Sequence, residues 1–227
     1  MCVYLNKCES IKTISQVRNY RSSKLSTSDV SSILRLVFTV ARDEDLRESE
    51  IHVDALRWMK RYESYDANLH ETSMVLLSKV VRRDIDLGKL APGEGVSIIL
   101  RSLRTFPDMP TLQKAACSVL TRLCAENEEC RLLVAAQGGT RIVLELMYRE
   151  VYEEDHSHSS KEEDMPLPVA KNPEHTVDVC SWYCTFLISI MTSSSFSHDI
   201  KRLLVEEGLI EVARAYLDAF STFQTPN

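Results

Sequence analysis

The run Leu112-Gln-Lys-Ala-Ala-Cys-Ser-Val-Leu-Thr-Arg-Leu-Cys124 decides how this chain is read. Its residues Leu112, Ala116, Leu120 and Leu123 fall at i, i+4, i+8 and i+11, the spacing of one face of an α-helix. Shifted back by 43 residues, the same frame lands on Leu69, Ser73, Leu77 and Val80. A later set, Gly138, Ile142, Val143 and Leu146, lands on Gly95, Ile99, Leu100 and Leu103. Eight matched positions at one offset, a glycine among them, make an internal repeat. A period of this length is the mark of a helical array.

The frame extends both ways. A second shift of 43 puts Val30, Leu34 and Val37 on the first set, with Ala55 and Leu56 on the later apolar pair. Forward, Cys180, Cys184, Ile188 and Met191 match Leu112, Ala116, Leu120 and Leu123 at an offset of 68. Gly208, Val212 and Tyr216 match Gly138, Ile142 and Leu146 at an offset of 70. An insertion of about 25 residues reconciles these offsets with 43, and the acidic stretch 149–175 has that length.

Each copy reads as three helices. In the clearest, Thr111 to Ala125 is a long helix, and Asn127 caps a shorter one from Glu128 to Ala136. Gly138 and Gly139 stop it through a left-handed residue, and a third helix follows from Thr140 to Tyr148. The last copy has Asp199 to Glu207, then Gly208, then Leu209 to Phe220. No such unit buries its apolar face alone, so each needs a neighbour to stack on.

The run 112–124, followed by Asn127-Glu-Glu-Cys-Arg131 and Ala136-Gln-Gly-Gly139, resembles an armadillo repeat. The likeness is best over 109–147, fair over 69–104 and 176–217, and faint over 28–61. It implies an all-α fold, a right-handed α-solenoid of three to four armadillo-type three-helix repeats over 28–220. Residues 1–27 then form a basic leader and 221–227 a tail. In that family the long helix lines a concave groove. A Trp two residues after the small position and an Asn four residues later do the binding there. Here the first position holds Val75, Ser118 and Phe186, and the second holds Lys79, Arg122 and Ile190. The Trp/Asn ladder that holds extended basic signals is missing. Lys79 and Arg122 instead imply a protein partner, an acidic or mixed-charge peptide.

Composition agrees with a helical array. The 227 residues include only 6 Gly and 7 Pro, too few turn formers for a β-sandwich or barrel. At 44% hydrophobic and 26% charged, the chain has the make-up of an ordered globular protein. No apolar run approaches the roughly 18–20 residues that cross a bilayer, and Met1 to Tyr20 lacks the apolar stretch of a secretory signal. Seven cysteines without a CxxC suit reduced thiols in a cytoplasmic, or else nuclear, setting. Cys117, Cys124, Cys180 and Cys184 read as small core residues.

Charge is unevenly placed within the net −6. Eight acidic residues stand against three basic ones between Arg149 and His175, whereas 1–27 sets Lys7, Lys12, Arg18, Arg21 and Lys24 against Glu9. The acidic stretch offers Lys79 and Arg122 an internal ligand. Nothing resembles the broad basic surface of a nucleic-acid binder, and neither nucleic acid nor a membrane is the expected partner.

The sequence holds no GxGxxG, GxxxxGK[ST], GxSxG or HExxH, so neither catalysis nor a cofactor is expected. His156 and His158, in the acidic stretch, are metal-ligand types without a third partner at fixed spacing. At the end of the last copy, Val205, Ile210, Ala213 and Leu217 form an apolar face that expects a cover: the tail, a partner, or a second copy of the chain. Two other readings stand beside the interaction module. One is the capping end of a larger assembly, such as a co-chaperone or ciliary scaffold. The other is a regulator that touches an acidic membrane or nucleic acid through its leader.

Overall fold

Short polar side chains and left-handed glycines set the helix starts. The structure, a computed structural model, describes residues 26–41, 44, 46, 51–62, 66–81, 93–125, 127–151, 173–191 and 197–221. Among these residues all regular structure is α-helical. Ser26 opens α1 (Thr27–Val40) with a capping box: its Oγ accepts from the Asp29 N–H at 3.2 Å, and Asp29 Oδ2 accepts from the Ser26 N–H at 3.0 Å. The Ser26 hydroxyl donates to Asp29 Oδ2 at 2.7 Å, and this bond, with the one from the Ser26 N–H, favours the charged carboxylate and lowers the Asp29 pKa. After α2 (Ile51–Arg61), Asp66 caps α3 (Ala67–Val80) by accepting from the Leu69 N–H at 3.0 Å. There follow α4 (Glu94–Thr105), α5 (Pro110–Ala125) and α6 (Glu128–Ala136), the last capped by Asn127 as the sequence predicts. The remaining helices are α7 (Gly139–Val151), α8 (Pro173–Met191), α9 (Ser197–Glu206) and α10 (Leu209–Ser221).

Gly138 and Gly208 stand between paired helices with φ of 71° and 96°, a backbone that residues with a Cβ rarely adopt. Each carbonyl accepts the first bond of the next helix, from the N–H of Ile142 and of Val212. The third glycine of this kind is Gly93, at φ 76°, whose carbonyl accepts from Ser97. Gly95, the residue matched to Gly138 by the 43-residue frame, instead lies buried within α4. The sequence frame is therefore off there by a short slip.

The residues fall into two compact units that divide between Leu133 and Val134. In the first, α1 packs on α3 and α3 on α5, α2 packs on α3 and α4, and α4 packs on α5. Its core gathers Val30, Leu34 and Val37 of α1 with Ile51 and Ala55 of α2 and Leu69, Leu76 and Val80 of α3. In the second unit, α7 packs on α8 and α10, and α9 touches both α8 and α10.

Burial recurs along the chain with the sequence period. Over 69–81 and 112–124 the same positions are buried at an offset of 43, including Leu69 with Leu112, Ser73 with Ala116, and Leu77 with Leu120. The helices that follow, α4 and α7, match at 44: Val96, Ile99 and Leu103 pair with Thr140, Val143 and Met147. α2 matches α4 at 44 as well, through His52, Ala55 and Met59.

α8 corrects the sequence register. Ile188, expected on the buried face beside Cys184, is 54% exposed, and Cys184 is only partly buried. The buried set is Tyr183, Phe186, Leu187 and Ile190, which matches Leu112, Ala115, Ala116 and Val119 at an offset of 71. The stretch 180–191 is apolar nearly all round, so more than one helical frame fits it. Packing of the bulky Tyr183 and Phe186 selects one.

Candidate functional site

The two cations expected in a groove are each engaged by a neighbouring helix of the same chain. Lys79 and Arg122 occupy one burial register, and both are exposed. Lys79 Nζ sits 3.7 Å from the centre of the Phe38 ring, a cation–π contact from α3 to α1. From α5, Arg122 donates to the carbonyls of Ser78 and of Val81, the latter at 3.2 Å. Those carbonyls end α3, where the helix offers them no internal donor. Each cation thus reaches back to the preceding long helix and ties the pair together.

One register further in, a second pair of side chains ties α4. Gln113 on α5 is buried, and its Nε2 donates to Leu103 O at 3.1 Å and to Phe106 O at 2.8 Å. On α3 the matching residue is His70, also buried, with Nδ1 2.8 Å from Ser102 Oγ and its ring 5.0 Å from that of Phe106. Ser102 Oγ donates to Ile98 O at 3.0 Å, so its oxygen accepts from the His70 Nδ1–H.

The other groove positions divide. Val75 and Ser118 are partly buried, whereas Phe186 and Ile190 are fully buried and belong to the core of the second unit. Neither of the latter presents a surface to a ligand, because the true frame of α8 lies three residues from the one that placed them there. In that frame Ser118 corresponds to Ser189, whose Oγ donates to Phe186 O at 2.6 Å.

Among the described side chains, the thiols are wholly or partly shielded. Cys117 and Cys124 are buried, and burial raises both pKa values, that of Cys124 to about 12. Cys130 and Cys184 are partly buried, and burial raises them too, with the Glu129 carboxylate opposing ionisation of Cys130. Among the described residues, no group of three or more His, Cys, Asp and Glu is placed to hold a metal ion. His156 and His158 lie outside the described residues, as do 1–25 of the leader, 152–172 of the acidic stretch and 222–227 of the tail.

The expected open face is present as a surface. Val205 is 48% exposed, Ile210 52% and Leu217 65%, and Ala213 is exposed between them. On α10 these residues at i, i+3 and i+7 share one side. At the glycine offset of 70 they correspond to Thr140, Val143 and Met147 of α7, which are all buried. The same register is buried in α4 and α2. Sequence reasoning missed one feature, a cleft between α7 and the turn from α9 to α10 that carries four glutamates. Its signal was Glu206-Glu207-Gly208 with Glu211, one turn of acidic residues around a glycine.

Comparison with protein families, with curated proteins and with solved structures finds no match for this chain. Among the described residues, no helix is long and apolar enough to cross a membrane.

Proposed function

We propose that the chain is an armadillo-type α-solenoid acting as a protein-interaction module, and that it docks a partner polypeptide through the exposed face of α10. The recurrence of burial at 43 and 44 residues supports the stacked-repeat half of this reading. So does the packing order, in which α1 contacts α3 and α3 contacts α5, while α2, α4 and α7 each contact the long helix that follows.

One observation carries the docking half. Ile210, Ala213 and Leu217 are exposed in a register that α2, α4 and α7 bury. Each of those three helices packs on the long helix that follows it. On α10 the same surface is offered outward, and burying an Ile or Leu there contributes about 1.5–3 kcal/mol each. The groove competes poorly, since Lys79 and Arg122 serve neighbouring helices.

The test compares the intact chain with Ile210→Asp plus Leu217→Asp, both at exposed positions that leave the core untouched. The pair keeps the thermal midpoint within about 2 °C, as surface changes do, and loses the proteins recovered with the wild type. Recovery that survives this pair but fails with Lys79→Glu plus Arg122→Glu would move the site to the groove.

A further inference from the structure

Three times in this chain the register that α10 leaves exposed is covered, each time by a long helix. Ala213 stands where α2, α4 and α7 bury Ala55, Ile99 and Val143. Ala55 shares one hydrophobic cluster with Leu69, Leu76 and Val80 of α3, the helix that packs on α2. α5 packs on α4 and α8 on α7 in the same order. These covers are 14, 16 and 19 residues long. Each buries a set at i, i+3, i+4 and i+7, beginning at Leu69, Leu112 or Tyr183. The face of α10 continues that series of interfaces.

One residue of that face departs from the series. The position of Arg214 is held by Leu56 on α2, Leu100 on α4 and Leu144 on α7, all buried, whereas Arg214 is exposed. With Ile210, Ala213 and Leu217 it completes a stripe at i, i+3, i+4 and i+7 on α10. A guanidinium covered by a wholly apolar helix would lose water and gain nothing. A carboxylate on the covering helix restores the balance through a charge-assisted hydrogen bond.

We propose that the face of α10 takes an α-helix of a partner protein, seated as α3, α5 and α8 are seated, with an Asp or Glu of that helix against Arg214. This rests on the reading of α10 as the docking face and adds the form and charge of the occupant. α5 supplies the probe, because it covers Leu100 on α4 and carries Lys114 and Arg122 but no acidic residue.

The experiment titrates the ¹⁵N-labelled intact chain with two acetylated and amidated peptides of residues 110–125, both with Cys117→Ala and Cys124→Ala. One keeps Lys114 and Arg122, and the other has Lys114→Glu and Arg122→Glu. The acidic peptide shifts the amide signals of Ile210, Ala213, Arg214 and Leu217, and transferred nuclear Overhauser effects show it helical when bound. It binds about fivefold or more tightly than the basic one, and the gap narrows as salt rises. Arg214→Glu reverses the order of the two peptides. If that variant disturbs folding, Arg214→Gln takes its place and removes the preference. Ala116→Pro in the acidic peptide abolishes binding, since an interior proline breaks a helix. Equal affinity of the two peptides, a preference that survives both Arg214 variants, or binding that survives Ala116→Pro overturns the proposal, and shifts on α10 would then leave the docking face standing. Shifts confined to other helices overturn both. A mass that doubles with concentration in sedimentation, and stays monomeric with Ile210→Asp, makes a second copy the occupant and overturns the proposal as well.

Discussion

Arg122 does the work of a helix cap from a neighbouring helix, because two of the last carbonyls of α3 turn toward α5 and a guanidinium reaches both. Arg122→Met keeps the aliphatic stem and removes the donors, so it destabilises by about 1–2 kcal/mol. That lowers the thermal midpoint by roughly 2–4 °C per kcal/mol, and an unchanged midpoint would mean that water caps α3 equally well. Gln113→Ala cuts deeper, about 2–3 kcal/mol, since the Leu103 and Phe106 carbonyls lose a buried donor. The buried thiols give a pH signature. Burial lifts Cys124 from 9.0 to about 12, so the folded protein keeps a proton that the unfolded chain releases. The stabilisation is complete below pH 9 and is lost as the pH rises from there toward the folded value, at about 1.4 kcal/mol per pH unit. Urea unfolding between pH 8.5 and 10.5 falls by that much less steeply in Cys124→Ala, and parallel slopes in the two proteins would contradict the assignment.

Between residues and fold stand the elements, and here the sequence was legible in some helices and not in others. α3 and α5 read correctly because each mixes polar and apolar residues, so one frame alone buries Leu69, Leu77 and Val80 or Leu112, Leu120 and Leu123. α8 did not, because Cys184, Phe186, Leu187, Ile188 and Ile190 satisfy two frames that only tertiary packing separates. Two of the six expected groove residues, Phe186 and Ile190, fell into the core for this reason. The spacing of Ile210, Ala213 and Leu217 along one side of α10 was legible, but their exposure was not, since the repeat register they share is buried in α2, α4 and α7. The cleft was not, because it depends on which carboxylate Arg141 and Arg202 take, and no pattern in the chain records that choice. Gly138 tests the turn between paired helices. At φ 71° with nothing within 4 Å of a added Cβ, its requirement is conformational and not one of space. Gly138→Ala therefore costs about 1–2 kcal/mol in chemical denaturation, and Gly138→Asn costs less because Asn tolerates the left-handed region. Equal stability of all three proteins would show that the turn relaxes to another backbone.

At the scale of the whole molecule, the division between Leu133 and Val134 has a measurable consequence, because each unit carries one of the two tryptophans. Trp58 packs against the cluster built by α1, α2 and α3, and Trp182 lies partly buried on α8. Each unit holds most of its contacts within itself, so a loss of stability is expected to stay in the unit that carries the substitution. Leu34 is fully buried in the first cluster, and Leu34→Ala removes about 2–5 kcal/mol there. In a Trp182→Phe background this substitution moves the urea midpoint reported by Trp58 to lower concentration. In a Trp58→Phe background it leaves the midpoint reported by Trp182 nearly in place. Gly138→Ala does the reverse, shifting the Trp182 transition and sparing that of Trp58. Should both reporters move together under either substitution, the two units unfold as one cooperative body.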